Sequence, residues 1–585
     1  MAKKETRTGA QALVESLERA GTRTVFGYPG GMVLDVFDAL ARTDIHFILG
    51  RHEQGCVHMA DGYARATGRP GVCIVTSGPG AANTVTALAT ANIDGVPLVV
   101  VTGQVSLKLI GTDAFQETDT TGITRAVSKH NFLVHSADEI PETVAQAFYI
   151  ATHGKPGPVV IDLPKDCQEA QTAAQYPERV SLRAYHPENY ATAGQIARLA
   201  KLLNEAKRPV IYAGGGAIAS GAAKEVAQLA HKADIPVATT LMGLGAFDEN
   251  DPLSLRMAGM HGSFAANSAL NEADFILALG VRFSDRVTGK VSRYAPKAKI
   301  AHVDCDCSSI GKNVKVSLGI NADIKDVLTT VASRIKRAER GEWLARIEEL
   351  RRDEDAAFRR ETARLPDGQA IRPRTAMEAV GRLAKGRAIF TTDVGQHQMW
   401  AAQYLRHTKP RRFLTSGGMG TMGFGIPAAI GAAIARPDLK SIAILGDGGA
   451  QMTFEEVVVA VEHDLPVTFI VFNNECLGMV RQLQELFYRN KYSASILSPE
   501  GRGANEKIRQ TSKKYLPDFV ALAKAHGALA WRVEDAAKLE ATLAKALHSK
   551  KTSLVEIAID PRTNVYPMIP SGKTVAETLF GGGAE

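Results

Sequence analysis

The sequence predicts an α/β protein built of three doubly wound parallel-sheet domains. Three observations carry that expectation. At 585 residues the chain is long enough for three or four domains. Short β-rich apolar runs alternate with helical runs, and the alternation restarts near Arg208 and again near Arg374. Several of these strands end in glycine-rich turns, as strands do where an open parallel sheet forms a ligand crevice. The expected domains are residues 1–175, 190–345 and 370–585.

In the first domain Ala12, Leu13, Leu17 and Ala20 have helical spacing. A strand at 24–26 ends in Gly27-Tyr28-Pro29-Gly30-Gly31, and a helix follows. A strand at 46–49 ends in Gly50-Arg51-His52-Glu53, before a helix at 54–66. The strand at 71–76 leads into Ser77-Gly78-Pro79-Gly80, and further strands are expected at 97–102 and 158–161. Glu53 thus begins a helix at the mouth of the sheet. On the residues alone, a first-turn glutamate complementing the helix dipole is its commoner role.

Residues 166–190 are polar and are expected to be a linker. The second pattern opens with a strand running into Ala213-Gly214-Gly215-Gly216, a weak phosphate-cradle signal without the full dinucleotide fingerprint. A strand at 275–279 leads into a segment from Gly280 to Lys290, and another at 299–303 ends in Asp304-Cys305-Asp306. An acid at such a strand end can hold a ribose hydroxyl, but a turn, surface charge or helix cap fits as well. The charged run 337–370 reads as a solvated helical connector. The third pattern ends near Ile559 and is followed by a tail through Val565-Tyr566-Pro567-Met568.

Composition excludes several classes. Apolar content of 45% and charged content of 22% are ordinary for a globular protein. Net charge is +7, but Lys and Arg are dispersed, so nucleic acid is not an expected partner. No apolar run reaches the roughly 18 residues a membrane span needs. The basic start lacks an apolar signal core, and helical spacing begins too early for a long transit peptide. The six cysteines form no zinc pattern and no secretory framework, so reduced thiols and a cytoplasmic location are expected. Cys305 and Cys307 are expected to be buried side chains rather than metal ligands.

The strongest chemical signal lies between Leu445 and Asn474. An apolar strand ends in Gly446-Asp447-Gly448, helical sequence follows, and a second apolar strand ends in Asn473-Asn474. A carboxylate and a carboxamide therefore face one crevice. The glycines allow close backbone approach to a phosphate, and the following helix offers N–H groups. Hard oxygen ligands beside a phosphate cradle suit Mg²⁺. Either motif alone is usually just a turn; the pair, one helix apart, is far more specific. The helix expected over 477–490 should line the same cleft, with Met479, Leu483 and Phe487 on one face.

The pair Gly-Asp-Gly…Asn-Asn is similar to the cofactor motif of thiamin diphosphate enzymes. Further segments narrow the resemblance: Phe26-Gly27-Tyr28-Pro29-Gly30-Gly31, Arg51-His52-Glu53-Gln54, Ala114-Phe115-Gln116-Glu117, Gly259-Met260-His261-Gly262, Arg282-Phe283-Ser284-Asp285-Arg286, Val394-Gly395-Gln396-His397 and Ser416-Gly417-Gly418-Met419-Gly420-Thr421-Met422. Along nearly its whole length the chain resembles the catalytic large subunits of the acetohydroxyacid synthase (acetolactate synthase) family. The resemblance implies a pyrimidine-binding domain, a central FAD-binding domain and a diphosphate-binding domain, with active sites shared between two subunits. It implies that Glu53 hydrogen-bonds the aminopyrimidine and that Asp447, Asn474 and the carbonyl of Cys476 bind Mg²⁺. Gly30, Gln396, His397, Met422, Gly446 and Gly448 would contact thiamin diphosphate, with Met422 propping it in a bent form. Gly215, Met260, His261, Arg282, Arg286, Asp304 and Asp323 would hold a structural FAD. Phe115, Gln116, Lys165, Met479 and Leu483 would line substrate access. The implied reaction decarboxylates pyruvate and joins the remaining unit to a second 2-keto acid, pyruvate or 2-ketobutyrate, for branched-chain amino acid biosynthesis.

Three positions depart from the family pattern. Leu483 stands where the family usually has tryptophan, so an altered preference for 2-ketobutyrate and weak inhibition by sulfonylurea and imidazolinone herbicides are expected. Ser284 replaces a usual aspartate, and Lys155 stands where arginine is common; with Arg286 and Gly289 retained, FAD is still expected. An FAD-free sister enzyme of the same cofactor class and a catalytically silent paralogue are the alternatives. A homodimer or homotetramer is expected, with a separate small regulatory subunit as a possible partner.

Overall fold

The computed structural model describes residues 6–364, 371–497 and 516–581. It contains three six-stranded sheets, parallel throughout. The first is formed by β1 (Thr24–Tyr28), β2 (His46–Leu49), β3 (Gly71–Val75), β4 (Leu98–Gln104), β5 (His130–Leu133) and β6 (Pro158–Pro164), in the order β2-β1-β3-β4-β6-β5. The central sheet has β7 (Pro209–Ala213), β8 (Val237–Thr239), β9 (Ser254–Met257), β10 (Phe275–Leu279), β11 (Lys299–Asp304) and β12 (Leu318–Asn321), in the order β9-β8-β7-β10-β11-β12. The third has β13 (Ala388–Thr392), β14 (Phe413–Leu414), β15 (Lys440–Gly446), β16 (Thr468–Asn473), β17 (Leu529–Val533) and β18 (Ser553–Ala558), in the order β14-β13-β15-β16-β18-β17. The first and third sheets therefore share one topology, while the central sheet has the dinucleotide-fold order. Their central strands, such as β4 and β10, are buried along their whole length, as strands covered by helices on both faces must be.

Several expectations are corrected. The stretch expected to be a linker from 166 opens with the helical turn Lys165–Glu169 and the short strand Gln171–Thr172, which pairs antiparallel with Arg7–Thr8. It closes the first domain, and the connection ends where Thr192 caps the helix Ala193–Glu205. The charged run is no free connector. In the helix Gly341–Arg364, Trp343, Ile347 and Leu350 form a buried stripe, and the Trp343 indole N–H donates to the Pro209 carbonyl at 3.1 Å. Arg346 pairs with Glu272 at 2.8 Å. The part of that run at 365–370 lies outside the described residues. Cys307 is exposed and Cys305 half-buried, because both fall in the turn after β11 rather than inside a strand. All six cysteines are free, and no described helix is long and apolar enough to cross a membrane.

One contact fixes the first domain on the third. Helix α1 (Glu53–Thr67) crosses helix α2 (Gly425–Ala435), whose Gly-Ile-Pro-Ala-Ala-Ile-Gly-Ala-Ala run is buried throughout. A Cβ on Gly62 would overlap the Ala428 carbonyl, and one on Gly431 the Met59 carbonyl, so the backbones touch. Beside this crossing the buried Arg65 pairs with Asp61 and Asp94 and donates to the Thr415 carbonyl. Asp94 in turn accepts the N–H groups of Gly417 and Gly418 at 3.0 and 2.8 Å. A methyl at Gly431 would force the helices apart, at an overpacking cost of about 1–3 kcal/mol. Gly431→Ala is therefore expected to lower the thermal midpoint by several degrees in scanning calorimetry; an unchanged midpoint would contradict this contact.

Candidate active site

In the third sheet the strand order reverses between β13 and β15, and both strand ends carry an acid. β13 is followed by Asp393-Val394-Gly395 and β15 by Asp447, while β16 ends at Asn473-Asn474. A cleft of about 60 Å³ opens there, lined by Gly395, Gln396, His397, Met422, Asp447 and Asn474 among others. It lies where parallel sheets bind ligands. Asp447 is buried, and its Oδ1 accepts the Gly448 N–H at 2.7 Å, while Oδ2 has no partner. Burial pushes its carboxyl up to about 7 against the pull of the N–H groups of Gly448, Glu475, Cys476 and Asn474. A buried carboxylate with an open oxygen fits a hard cation. Asn474 Oδ1 stands beside it, accepting the Cys476 N–H at 3.3 Å. Buried His397 is held neutral, its imidazole lowered to about 3 by burial, and its Nε2 is unpartnered.

The helix expected after Asp447 is broken into the turn Asp447–Ala450, the 3₁₀ turn Phe454–Glu456 and the helix Val457–Glu462. The phosphate cradle is thus a tight turn rather than a long helix end. A Cβ on Gly448 would stand 2.6 Å from Leu477 Cδ2 and 3.4 Å from Met422 Cε, so only glycine leaves the floor of the cleft open. Gly446 ends β15 under the His397 ring.

Gln396 lines the cleft, but its amide is committed to protein. It accepts from Asn474 Nδ2 at 3.1 Å and donates to Gln482 Oε1 and the Thr563 carbonyl, each at 2.9 Å. It therefore orients Asn474 rather than offering a free donor. Helix α3 (Gly478–Phe487) buries Arg481 and Gln482, not the face of Met479, Leu483 and Phe487. Gln482 bonds both backbone groups of Val565, which anchors the tail. Met479 lines the cleft, Leu483 is half-buried outside its lining, and Phe487 is exposed. Sequence reasoning missed Asp393. Its buried carboxylate accepts the N–H groups of Val394, Gly423 and Gly425 at 2.8–2.9 Å and so fixes the loop that carries Met422. The signal was present: an acid followed by Val-Gly at a strand end, like the one at Asp447.

The first-domain residues gather elsewhere. Glu53 begins α1, and its Oε2 accepts from Asn83 Nδ2 at 2.9 Å. Gly30 lies against Thr76 at the adjoining ends of β1 and β3. Gln116 packs on Gly78, and Phe115 is 82% exposed. Lys165 follows β6 and pairs with Asp35. Glu53 is not among the residues lining the third-domain cleft.

In the central sheet the order reverses between β7 and β10. Gly215 begins the helical turn after β7, next to Met242. Met260 and Arg286 are joined by the Met260 N–H to the Arg286 carbonyl at 2.7 Å and by the guanidinium to Sδ at 3.5 Å. His261 is buried, lowered to about 4 by burial, and has an unpartnered Nδ1. Burial pushes the Asp304 carboxyl up to about 6. Two expected ligand contacts are engaged in the fold: Asp323 caps the helix Ile324–Ala332, and Arg282 donates to the Ile93 carbonyl at 2.9 Å. Lys155 lies 3.7 Å from Asp306, so it bridges the first and central domains.

Because Gln396 orients Asn474, Gln396→Leu is expected to weaken thiamin diphosphate binding about tenfold or more in a fluorescence titration with Mg²⁺. An unchanged affinity would contradict the role given to this amide.

Three family models match the chain in order: the N-terminal TPP binding domain of thiamine pyrophosphate enzymes over 7–123, their central domain over 196–331, and their C-terminal TPP binding domain over 393–557. The chain is 45% identical to the probable acetolactate synthase large subunit of Methanocaldococcus jannaschii, covering 96% of this chain and 94% of that protein. It is 42% identical to the acetolactate synthase large subunit of Haemophilus influenzae, covering 98% of each. It is 42% identical to the acetolactate synthase isozyme 3 large subunit of Escherichia coli, covering 96% of each. With all three domains matched in order and near-complete coverage of such relatives, the chain belongs to the acetolactate synthase large-subunit family of thiamine pyrophosphate enzymes.

Proposed function

We propose that this protein decarboxylates pyruvate and transfers the resulting two-carbon unit to a second 2-keto acid, releasing CO₂ and forming 2-acetolactate or 2-aceto-2-hydroxybutyrate for branched-chain amino acid synthesis. The observation that carries this is the cleft at β13 and β15, with its open Asp447 oxygen, Asn474 and neutral His397. These groups fit a Mg²⁺-diphosphate, with Asp447, Asn474 and the Cys476 carbonyl as the metal ligands. Bound thiamin diphosphate supplies a thiazolium that stabilises the carbanion left when a 2-keto acid loses CO₂. The chain's own groups bind and orient. Asp393 fixes the Met422 loop against the cofactor site, and Gln396 holds the Asn474 amide. Glu53 would hydrogen-bond the aminopyrimidine ring and hold a proton there. Met479, beside the cleft, Phe115, Gln116 and Lys165, from the first domain, and Leu483, on the helix after Asn474, are the residues proposed to border the path of the keto acids.

Since Glu53 and the cleft form separate half-sites on one chain, two copies complete each active site, as a homodimer or a larger even assembly. The dinucleotide-fold order of the central sheet, Gly215 at its reversal and the unpartnered Nδ1 of His261 support FAD as a structural ligand. The relatives are named large subunits, which supports a separate small subunit as partner. Glu53→Gln is expected to lose at least about a hundredfold in acetolactate formation from pyruvate while still binding Mg-thiamin diphosphate; full activity would overturn the role of Glu53. Leu483→Trp is expected to change the product ratio in a pyruvate and 2-ketobutyrate competition, and an unchanged ratio would remove Leu483 from substrate selection.

A further inference from the structure

Glu456 is a fully buried carboxylic acid that the cofactor cleft does not use. It closes the 3₁₀ turn Phe454–Glu456 of the third domain, yet its partners lie in the first. Its Oε1 and Oε2 accept the Arg51 N–H at 3.2 and 3.0 Å, and Oε1 accepts the His52 N–H at 3.0 Å. These are the two residues before Glu53. The fit continues into α1, where a Cβ on Gly55 would overlap Glu456 Oε1. The Arg51 side chain is held from the same domain, by Glu462 Oε2 at 2.6 Å. The turn that presents Glu53 is tied to its own sheet through the Gly50 N–H on the Gly27 carbonyl, and its next two N–H groups are held by a carboxyl group from another domain.

We propose that Glu456 is a positioning residue that sets the direction in which Glu53 offers its carboxyl group to the aminopyrimidine of thiamin diphosphate. This rests on the role given to Glu53 above. The body of α1 is already held at Gly62 and Gly431, so the Glu456 carboxyl acts on the first turn alone. Hydrogen bonds from two consecutive N–H groups to one buried carboxyl fix a turn tightly, and a functional group must be held to within about 0.5 Å to work. Since Glu53 is expected to serve the copy opposite, Glu456 also ties the diphosphate half of one active site to the pyrimidine half of the other.

The test uses the full-length protein with Mg²⁺ and thiamin diphosphate. Three quantities are measured: exchange of the thiazolium C2 proton of the bound cofactor in D₂O, the cofactor Kd and the thermal midpoint. Glu456→Ala is expected to slow exchange about tenfold or more with little change in Kd or thermal midpoint, while Glu456→Gln, which keeps an acceptor oxygen, exchanges at close to the wild-type rate. Wild-type exchange in Glu456→Ala overturns the proposal, and so does equal loss in Glu456→Gln. A parallel collapse of Kd and thermal midpoint also overturns it, in favour of a purely structural role. Should Glu456→Ala fail to fold, Glu456→Asp withdraws the carboxyl by one methylene; slowed exchange is then expected, and unchanged exchange overturns the proposal. Glu53→Gln separates the two claims. If it exchanges normally, the role of Glu53 fails; if it is slow while the Glu456 variants are normal, only the positioning role fails.

Discussion

The backbone contact between α1 and α2 is the constraint on which the rest depends. Glycine at Gly62 and Gly431 lets a helix of the first domain touch a helix of the third without side chains between them. Such contact leaves no room for sliding, because interiors packed at this density do not deform smoothly. The helix so fixed is the one that begins with Glu53. Its far end carries Arg65, whose ion pair with Asp94 reaches the Gly417–Gly418 loop of the third domain and lies near Arg282 of the central one. Asp61 and Arg65 are buried beside this crossing, where an unpaired charge would be costly. One crossing therefore orients the start of α1 at Glu53, the loop toward Met422 and the edge of the central domain.

The two proposed half-sites follow from repeated topology. The first and third sheets have the same strand order, so each opens a crevice where its order reverses. The third sheet fills its crevice with Asp393, His397 and Asp447. The first fills the equivalent place with Gly30, Thr76 and Gly78, and offers Glu53 from the next strand end. One crevice is lined by the buried Asp393, His397 and Asp447; the other is small-sided, with Thr76 and Gly78 buried and the exposed Phe115 nearby. They are complementary in kind, as the phosphate and ring ends of one cofactor require.

Much of this was legible in the sequence. The long buried strands and their glycine-rich ends announced three α/β sheets, and Gly-Asp-Gly with Asn-Asn marked the cleft of the third sheet. Short strands such as the edge strand Phe413–Leu414 and the inner strand Val237–Thr239 were not legible, because two or three residues carry no periodicity. Trp343, Ile347 and Leu350 were hidden among charges, although their helical spacing was there to find. The commitment of Gln396 to Asn474 and Gln482 could not be read, since a carboxamide beside a metal motif looks the same whether it binds ligand or protein. Asp323, expected to be a ligand acid, also caps a helix through its Oδ1, a role that the following Ile-Lys-Asp permits equally. Glu456 gave no local sign at all, since its partners lie some 400 positions earlier in the chain.

The account holds that Glu53 of one copy completes the Asp447–Asn474 cleft of another. Complementation between two inactive variants tests this most directly. Glu53→Gln and Asp447→Ala protein are co-refolded or co-expressed, and acetolactate formation from pyruvate is assayed. Mixed assemblies contain one site with both residues intact, so a substantial fraction of activity should return. If the mixture stays as inactive as either variant alone, each site is built within one chain and the account is wrong.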